Sequence, residues 1–146
     1  MIKLLASLLF VLPVFITGCT GKTDKIPPKI MWGQDACDNC FMLINDKKYA
    51  AAVTLQNGEE KRFDDIGCML AYMQNNKKDI KYYWVYDFIS DNPIPAEDAF
   101  FVRSKQEVTP MGSGIIAFNL KNDAEKYVGK GDSTILKFID LTNNYN

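Results

Sequence analysis

The sequence predicts an α+β protein with two small ββαβ units in tandem, each made of strand, strand, helix and strand. Its 146 residues suit one ordinary domain or two very small ones. Apolar runs of strand length flank one helical stretch in each half, and the turn-prone segment 91–95 separates the halves. We therefore expect the first unit over residues 32–91 and the second over residues 92–146.

The first unit is predicted from short strands around one helix. Gln56-Asn57-Gly58 is typical of a hairpin turn between two strands. Asp64 and Asp65 lie at the expected helix start, where the helix dipole favours carboxylates. The helix shows an apolar stripe at spacing i, i+3, i+4 and i+7. The strands are predicted at residues 41–44, 49–55, 60–63 and 82–88, and the stripe consists of Ile66, Met69, Leu70 and Met73.

The second unit repeats this order. Asn122 and Glu125 have the spacing of a capping box at the start of a short helix. That helix is expected to end at Val128, before Gly129 and Gly131. The strands of this unit are predicted at residues 99–103, 114–119 and 135–141.

The N-terminal segment is typical of a bacterial lipoprotein signal. Lys3 precedes an apolar run over residues 4–16, which is too short for a comfortable membrane crossing. The run ends in Ile16-Thr17-Gly18-Cys19, which resembles a lipobox. Residues 1–18 are therefore expected to be a signal peptide, with Cys19 acylated. The alternative is an uncleaved anchor in which the cysteine is incidental.

Acylated Cys19 would hold the protein on a lipid bilayer. Residues 19–31 are expected to form an extended, lipidated tether, because they include a glycine, two adjacent prolines and three lysines. Thr20, rather than an aspartate, follows the cysteine, and the sorting rules for such signals then favour the outer membrane. We expect a cell-envelope protein that is lipid-anchored and faces the periplasm.

Composition and charge exclude several classes of function. A net charge of −1 offers no basic face for nucleic acid. The absence of histidine excludes His general bases, Ser-His-Asp and Cys-His nucleophiles, c-type haem ligation and His-containing zinc sites. Four cysteines and six methionines remain as a source of soft, sulfur-based chemistry.

The first candidate site is Cys37-x-x-Cys40-x-Met42. The two cysteines alone allow a disulfide, half of a zinc or iron–sulfur site, or a redox motif, although a redox motif would want a helix after it. A Cys₄ zinc site would need Cys68 and a fourth ligand that the chain lacks. On a strand, Cys40 and Met42 would share one face, as a thiolate–thioether pair suited to Cu(I). In the alternative, the cysteines form a disulfide and Met42 fills the core.

Two further sulfur residues are candidates. Cys68 lies in the first turn of the predicted helix, where the dipole favours a thiolate, and is either a partly exposed ligand or a small buried hydrophobe. Met111 lies in a loop between Pro110 and Gly112, where the choice is between a ligand and chance exposure. The pair Asp64 and Asp65 is assigned to helix capping rather than to acid–base chemistry.

Taken together, these segments resemble the NosL family of copper-binding lipoproteins that serve the maturation of nitrous-oxide reductase. The resemblance runs from Cys19 to about Leu141, with the motifs in order. The matching segments are the lipobox, Cys37-x-x-Cys40-x-Met42, and residues 49–51, 63–69, 85–88, 99–102, 110–118, 123–124 and 135–138.

The resemblance implies a fold of two tandem ββαβ units and the binding of one Cu(I). It also implies delivery of the copper to apo nitrous-oxide reductase or another extracytoplasmic copper protein. Carried over by position, the ligands are Cys40, Met42 and Met111, with Cys37 and Cys68 as possible additional ligands. Some members have a histidine near the Met-Gly element, where this chain has Ser113, so an all-sulfur site is expected.

The function expected from these observations is a copper chaperone and not an enzyme. Two other classes stay open on the residues alone. One is a thiol–disulfide oxidoreductase that uses Cys37 and Cys40; the other is a structural lipoprotein in which a disulfide between these cysteines only holds a loop.

Overall fold

The computed structural model describes residues 25–129 and 133–145, and its elements follow the order ββαβ twice. The first half contains β1 (Ala51–Leu55), β2 (Glu60–Phe63), α1 (Ile66–Asn76), β3 (Ile80–Tyr86) and a short β4 (Pro93–Pro95). The second half contains β5 (Phe100–Arg103), β6 (Ile115–Phe118), α2 (Lys121–Val128), β7 (Thr134–Leu136) and α3 (Phe138–Asn144). Within the described residues, no helix is both long and apolar enough to cross a membrane.

The first sheet is antiparallel, in the order β2-β1-β3-β4. Its inner strand β1 contains two alanines and is buried at Ala51, Ala52 and Val53. The predicted hairpin between β1 and β2 is confirmed, with Gly58 at a φ of 87°. The apolar stripe of α1 is also confirmed, because all four of its residues are buried in the core.

The second sheet is a smaller antiparallel one, in the order β6-β5-β7. Every residue of β6 is buried, because its side chains alternate between two faces. One face packs into the central core, and the other packs against α2. Ala124 on α2 is fully buried against Phe118 and Val102. The loop that precedes β6 is thereby held next to the first half of the chain.

One apolar core joins the two halves. Phe63 and Ile66 from the first half belong to the same buried cluster as Phe101, Ile115 and Leu141 from the second. Strand β4, which follows residue 91, pairs with β3 in the first sheet. Ile30, within the predicted tether, is also in this core. The halves are therefore packed directly together, and loops from each can meet at one site.

Two predicted strands are wrong. Residues 41–44 form a loop in which only Leu43 makes an isolated bridge, because Phe41 turns the backbone at a φ of 65°. Residues 135–141 split into the short strand β7 and the helix α3. The helix is favoured because Phe138 and Leu141, at i and i+3, are both buried, while Ile139 between them is 60% exposed.

The predicted capping box of α2 is also wrong. This helix begins at Lys121, one residue before Asn122, and its N-cap is Leu120. The Leu120 side chain makes no capping hydrogen bond. Gly129 is confirmed as the residue that follows the helix, whereas Gly131 lies outside the described residues.

Candidate metal centre

Residues 37–42 form a tight loop around two thiols. The Cys37 N–H donates to the Met42 carbonyl oxygen (2.8 Å), and the Phe41 N–H donates to the Cys37 carbonyl oxygen (2.9 Å). The Cys40 N–H donates to the Cys37 Sγ atom (3.5 Å). As a result Cys37 is fully buried, Cys40 is partly exposed, and Met42 is 51% exposed at the surface.

Asp38 anchors this loop to β2. Its N–H donates to the Arg62 carbonyl oxygen (2.8 Å), and its carboxylate accepts from the Arg62 N–H (2.7 Å). Strand β2 ends at Phe63 and leads directly into the start of α1. The two reciprocal hydrogen bonds therefore bring the cysteine loop beside the first turn of that helix.

The two aspartates before α1 have different roles. Asp65 is the N-cap, and its Oδ1 atom accepts from the Gly67 N–H at 2.6 Å. Asp64 is buried and accepts from the Cys40 thiol at 3.4 Å through Oδ1, while its Oδ2 atom is buried without a hydrogen-bond partner. The assignment of both carboxylates to capping is therefore wrong for Asp64. Because a helix uses one N-cap side chain, the doubled aspartate was the signal for a second role.

Four donor atoms converge at this position. They belong to Cys37, Cys40, Cys68 and Asp64, and all lie within 4.8 Å of one another. The first turn of α1 supplies Cys68, which is buried. Three sulfur atoms and one carboxylate oxygen at this spacing can reach a single metal ion after small side-chain movements. Asp64 is thus the fourth donor that the cysteine count alone did not provide.

Hydrogen bonding and burial separate the pKa values of the three thiols. The hydrogen bond from Cys68 lowers the pKa of Cys37 to about 6, and the same contact raises the pKa of Cys68. Burial raises the pKa of Cys40 to about 11, against the opposing effect of a hydrogen bond from the Met42 backbone N–H. The Cys37 thiol is therefore the most acidic of the three, whereas the thiols of Cys40 and Cys68 hold their protons more strongly than a free cysteine does.

The loop before β6 brings Met111 to this region from the second half. The Met111 N–H donates to the Asp65 Oδ2 atom at 2.9 Å, and Asp65 directly follows Asp64 in the chain. The Met111 side chain is 47% exposed. The structure thus gathers the three predicted thiols and places the Met111 loop against the neighbouring carboxylate. Cys19, the predicted acylation site, lies outside the described residues.

The family follows from comparison with known proteins. The sequence matches the NosL family over residues 28–146. This chain belongs to the NosL family. Its fold is similar to the crystal structure of the copper chaperone NosL from Shewanella denitrificans, with a TM-score of 0.66 and 22% sequence identity. The similarity covers 80% of this chain and 98% of that chain, whereas no curated protein matches the sequence.

Two expectations from the sequence are thereby confirmed. The resemblance to NosL is a family membership that includes both halves of the chain. The α+β class is confirmed by two small antiparallel sheets with accompanying helices. Within the NosL family match lie all four donor residues of the cluster and the Met111 loop.

Proposed function

We propose that this protein is an extracytoplasmic Cu(I) chaperone that uses Cys40, Met42 and Met111 as ligands. The observation that carries the proposal is the convergence of three thiols beside the Met111 loop in a member of the NosL family. The similar protein from Shewanella denitrificans is itself described as a copper chaperone. Copper is the cargo here, taken up and passed on.

The chemistry of the donors supports Cu(I) over harder ions. Thiolate and thioether sulfur are soft ligands, which favour a soft monovalent metal over Mg²⁺ or Ca²⁺. The chain has no histidine, so no imidazole competes with sulfur as the ligand. Cys37 and Cys68 remain possible additional ligands from inside the cluster.

The exposure of the sulfur residues suits transfer by ligand exchange. Cys40 is the partly exposed thiol of the cluster, and Met42 and Met111 are both about half exposed. Because these three residues are accessible, an acceptor protein can replace them one after another as ligands, without free Cu(I) in solution. Cys37 and Cys68 support the site from the buried side.

The site is better suited to binding and transferring a metal ion than to thiol–disulfide catalysis. Cys37 has the acidic thiol that such an enzyme would use as its nucleophile, but this residue has no exposed surface for a substrate disulfide. The cysteine pair is followed by a loop and not by a helix. We therefore assign no enzymatic activity to this chain.

The wider setting of the proposal comes from the sequence. Acylated Cys19 would anchor the protein to a lipid bilayer, facing the periplasm and with the outer membrane as the favoured location. The proposed recipient is apo nitrous-oxide reductase or another extracytoplasmic copper protein. The net charge of −1 favours no nucleic-acid partner.

The direct test is an anaerobic titration of the full-length, reduced protein in detergent with Cu(I), in competition with a chromogenic chelator. We expect one tightly bound Cu(I) per chain by titration and by native mass spectrometry. Absence of stoichiometric copper under reducing conditions would reject the chaperone and leave the structural lipoprotein. Disulfide reductase activity that survives loss of both Met42 and Met111 would favour the oxidoreductase instead.

A second test addresses the recipient. Copper-loaded protein is mixed with apo nitrous-oxide reductase, and the copper content of each is measured after separation. Transfer that exceeds exchange with an equal concentration of free chelator supports direct delivery. Intact copper binding with no transfer would reject this recipient and leave the chaperone assignment standing.

A further inference from the structure

A buried carboxylate connects the metal centre to the loop of the second half. Asp65 has no exposed surface, and four hydrogen-bond donors surround it. Its Oδ1 atom accepts from the Gly67 N–H and the Ser113 hydroxyl, and its Oδ2 atom accepts from the Thr109 hydroxyl and the Met111 N–H. The four distances are 2.6, 2.5, 2.6 and 2.9 Å.

The two hydroxyl groups extend this connection into the backbone of the loop. The Thr109 hydroxyl accepts from the Gly114 N–H (3.2 Å), and the Ser113 hydroxyl accepts from the Ile115 N–H (3.2 Å). Each hydroxyl therefore has its own proton available for Asp65. The carboxylate organises the whole loop rather than a single contact.

The loop needs such a fixed point because its own backbone is permissive. Gly112 and Gly114 both have positive φ values, of 68° and 63°, in the region that glycine occupies freely. The loop also lies in close contact with the first turn of α1. A Cβ atom at Gly67 would lie 2.6 Å from the Ser113 Cβ atom, so only glycine at this position lets the loop approach α1.

We propose that Asp65 is a positioning residue that fixes Met111 beside the thiol cluster and thereby sets the Cu(I) affinity of the site. This inference rests on the proposed function, since it assigns a role toward the copper that the chaperone carries. Asp65 is not itself a ligand, because its four accepted hydrogen bonds occupy both oxygen atoms. It acts by holding a flexible thioether where the metal binds, which reduces the loss of conformational freedom on binding.

The connection between the loop and α1 needs a carboxylate at this position, because an amide cannot accept all four hydrogen bonds. Each Asp65 oxygen accepts from two donors, and an asparagine has a single acceptor oxygen. In Asp65→Asn the amide NH₂ group therefore faces either the Thr109–Met111 pair or the Gly67–Ser113 pair. In either orientation one backbone N–H, that of Met111 or that of Gly67, loses its acceptor, whereas the hydroxyl beside it can turn to accept from the amide.

The test compares Cu(I) affinity in the full-length protein and in Asp65→Asn by competition with a chromogenic chelator. We expect the affinity to fall by roughly tenfold, which is the low end for residues that support a metal ligand without binding the metal and does not exceed the effect of losing the Met111 thioether itself. X-ray absorption of the copper-loaded variant is expected to show fewer sulfur neighbours around Cu(I) than in the wild type. Introduced into Met111→Leu, the same substitution is expected to change the affinity by less than about twofold, because its effect acts through Met111.

Asp87 provides a matched control. It is also a buried carboxylate, and it accepts from the Ser90 N–H, the Ser90 hydroxyl and the Asn119 N–H. None of these residues belongs to the donor cluster. Asp87→Asn is therefore expected to lower the stability of the protein while leaving the Cu(I) affinity and the sulfur count unchanged.

The outcomes separate this inference from the proposed function. If the wild type binds Cu(I) and Asp65→Asn binds it equally well, or if Asp87→Asn weakens binding to the same extent, the positioning role is overturned. If the wild type binds no Cu(I), the proposed function fails, and the role toward copper fails with it. Hydrogen exchange at the Met111 amide in the metal-free protein then still reports whether Asp65 holds the loop. Should Asp65→Asn not fold, Thr109→Val removes one hydroxyl donor and is read by the same measurements.

Discussion

The two units of this protein have the same junction between their second strand and their helix, with different residues on it. Strand β2 ends at the buried Phe63 and β6 at the buried Phe118, and each helix begins after two further residues. In this alignment Asp64, Asp65 and Cys68 of the first unit correspond to Asn119, Leu120 and Asp123 of the second.

The comparison shows that the backbone of the junction does not create the site. In the first unit the N-cap Asp65 is fully buried and accepts four hydrogen bonds, whereas the N-cap Leu120 of the second unit is 58% exposed and makes no capping bond. The second unit contributes instead through its Met111 loop. One unit therefore carries the thiols, and the other carries a thioether and fastens it to the first.

The comparison is tested most severely by removing one proposed ligand from each unit. Cys40→Ser is expected to weaken Cu(I) binding by more than about 100-fold, which exceeds the effect typical of residues that only support a ligand. Met111→Leu, which keeps the side-chain volume, is expected to weaken binding by roughly tenfold. Both affinities are measured anaerobically against a chromogenic chelator. An unchanged affinity in Met111→Leu would show that the site belongs to the first unit alone.

Exchange of the two N-cap residues gives the next largest effect. Asp65→Leu leaves four donors without an acceptor, and we expect a loss of roughly 3–5 kcal/mol in the free energy of unfolding. The reciprocal Leu120→Asp adds a capping side chain at an exposed position and is expected to stabilise the protein by about 0.5–1 kcal/mol.

These two values are measured by urea unfolding, followed through the fluorescence of the buried Trp84. If both exchanges lower the stability by similar amounts, the two junctions are equally dependent on their N-cap residues. The conclusion that only the junction of the first unit depends on its N-cap residue would then be wrong.

The pH dependence of copper binding distinguishes the two units in another way. The thioether of Met111 carries no proton, so any proton released on binding comes from a thiol of the first unit. Cys40 has a pKa raised to about 11 by burial and must lose its proton to bind Cu(I). The apparent affinity is therefore expected to fall about tenfold for each unit that the pH is lowered from 9 to 7. Cys37, whose pKa is lowered by its hydrogen bond with Cys68, releases its proton more readily and contributes less to the slope.

The slope is measured by chelator competition at several pH values, corrected for protonation of the chelator. Cys40→Ser serves as the control, and its residual binding is expected to lose most of the slope. A wild-type affinity that does not change with pH would mean that Cys40 contributes no thiolate to the metal.

The smallest effect concerns the glycine that lets the units meet. Gly67→Ala places a Cβ atom 2.6 Å from that of Ser113, and we expect a loss of about 1–3 kcal/mol in stability. Gly129→Ala, at the end of α2, meets nothing nearer than 3.5 Å, and its φ of −57° suits alanine. That control is expected to gain about 0.4–1 kcal/mol. Equal urea midpoints for the two variants would contradict the close approach at Gly67.

Elements with local signals could be predicted, and elements that depend on packing could not. The stripe of α1 and the hairpin at Gly58 were found because their signals lie within a few residues. Residues 41–44 have the composition of a strand, but among the described residues only a single bridge, from Leu43 to Ala36, pairs with them. Residues 135–141 fit both a strand and a helix, and the helix is favoured because Phe138 and Leu141 reach the core together.

The candidate site shows the same division. Cys37, Cys40, Cys68 and Met111 were identified as candidates from residue type and motif alone. The convergence of the three thiols depends on the anchoring of Asp38 to β2, and the approach of the Met111 loop depends on the packing of the two halves in one core. The separate roles of Asp64 and Asp65 could not be assigned, because neighbouring aspartates look alike until their partners are known.

The sequence by itself determined the sulfur donors, the hairpin between β1 and β2, the helix α1, and the membership of the NosL family. Sulfur residues without histidine already favour a soft metal. The tertiary structure decided which thiol is accessible, which aspartate caps the helix, and how Met111 reaches the first unit. The physical reason is that these properties arise from contacts between residues far apart in the chain, and only the packing of the two sheets into one core creates them.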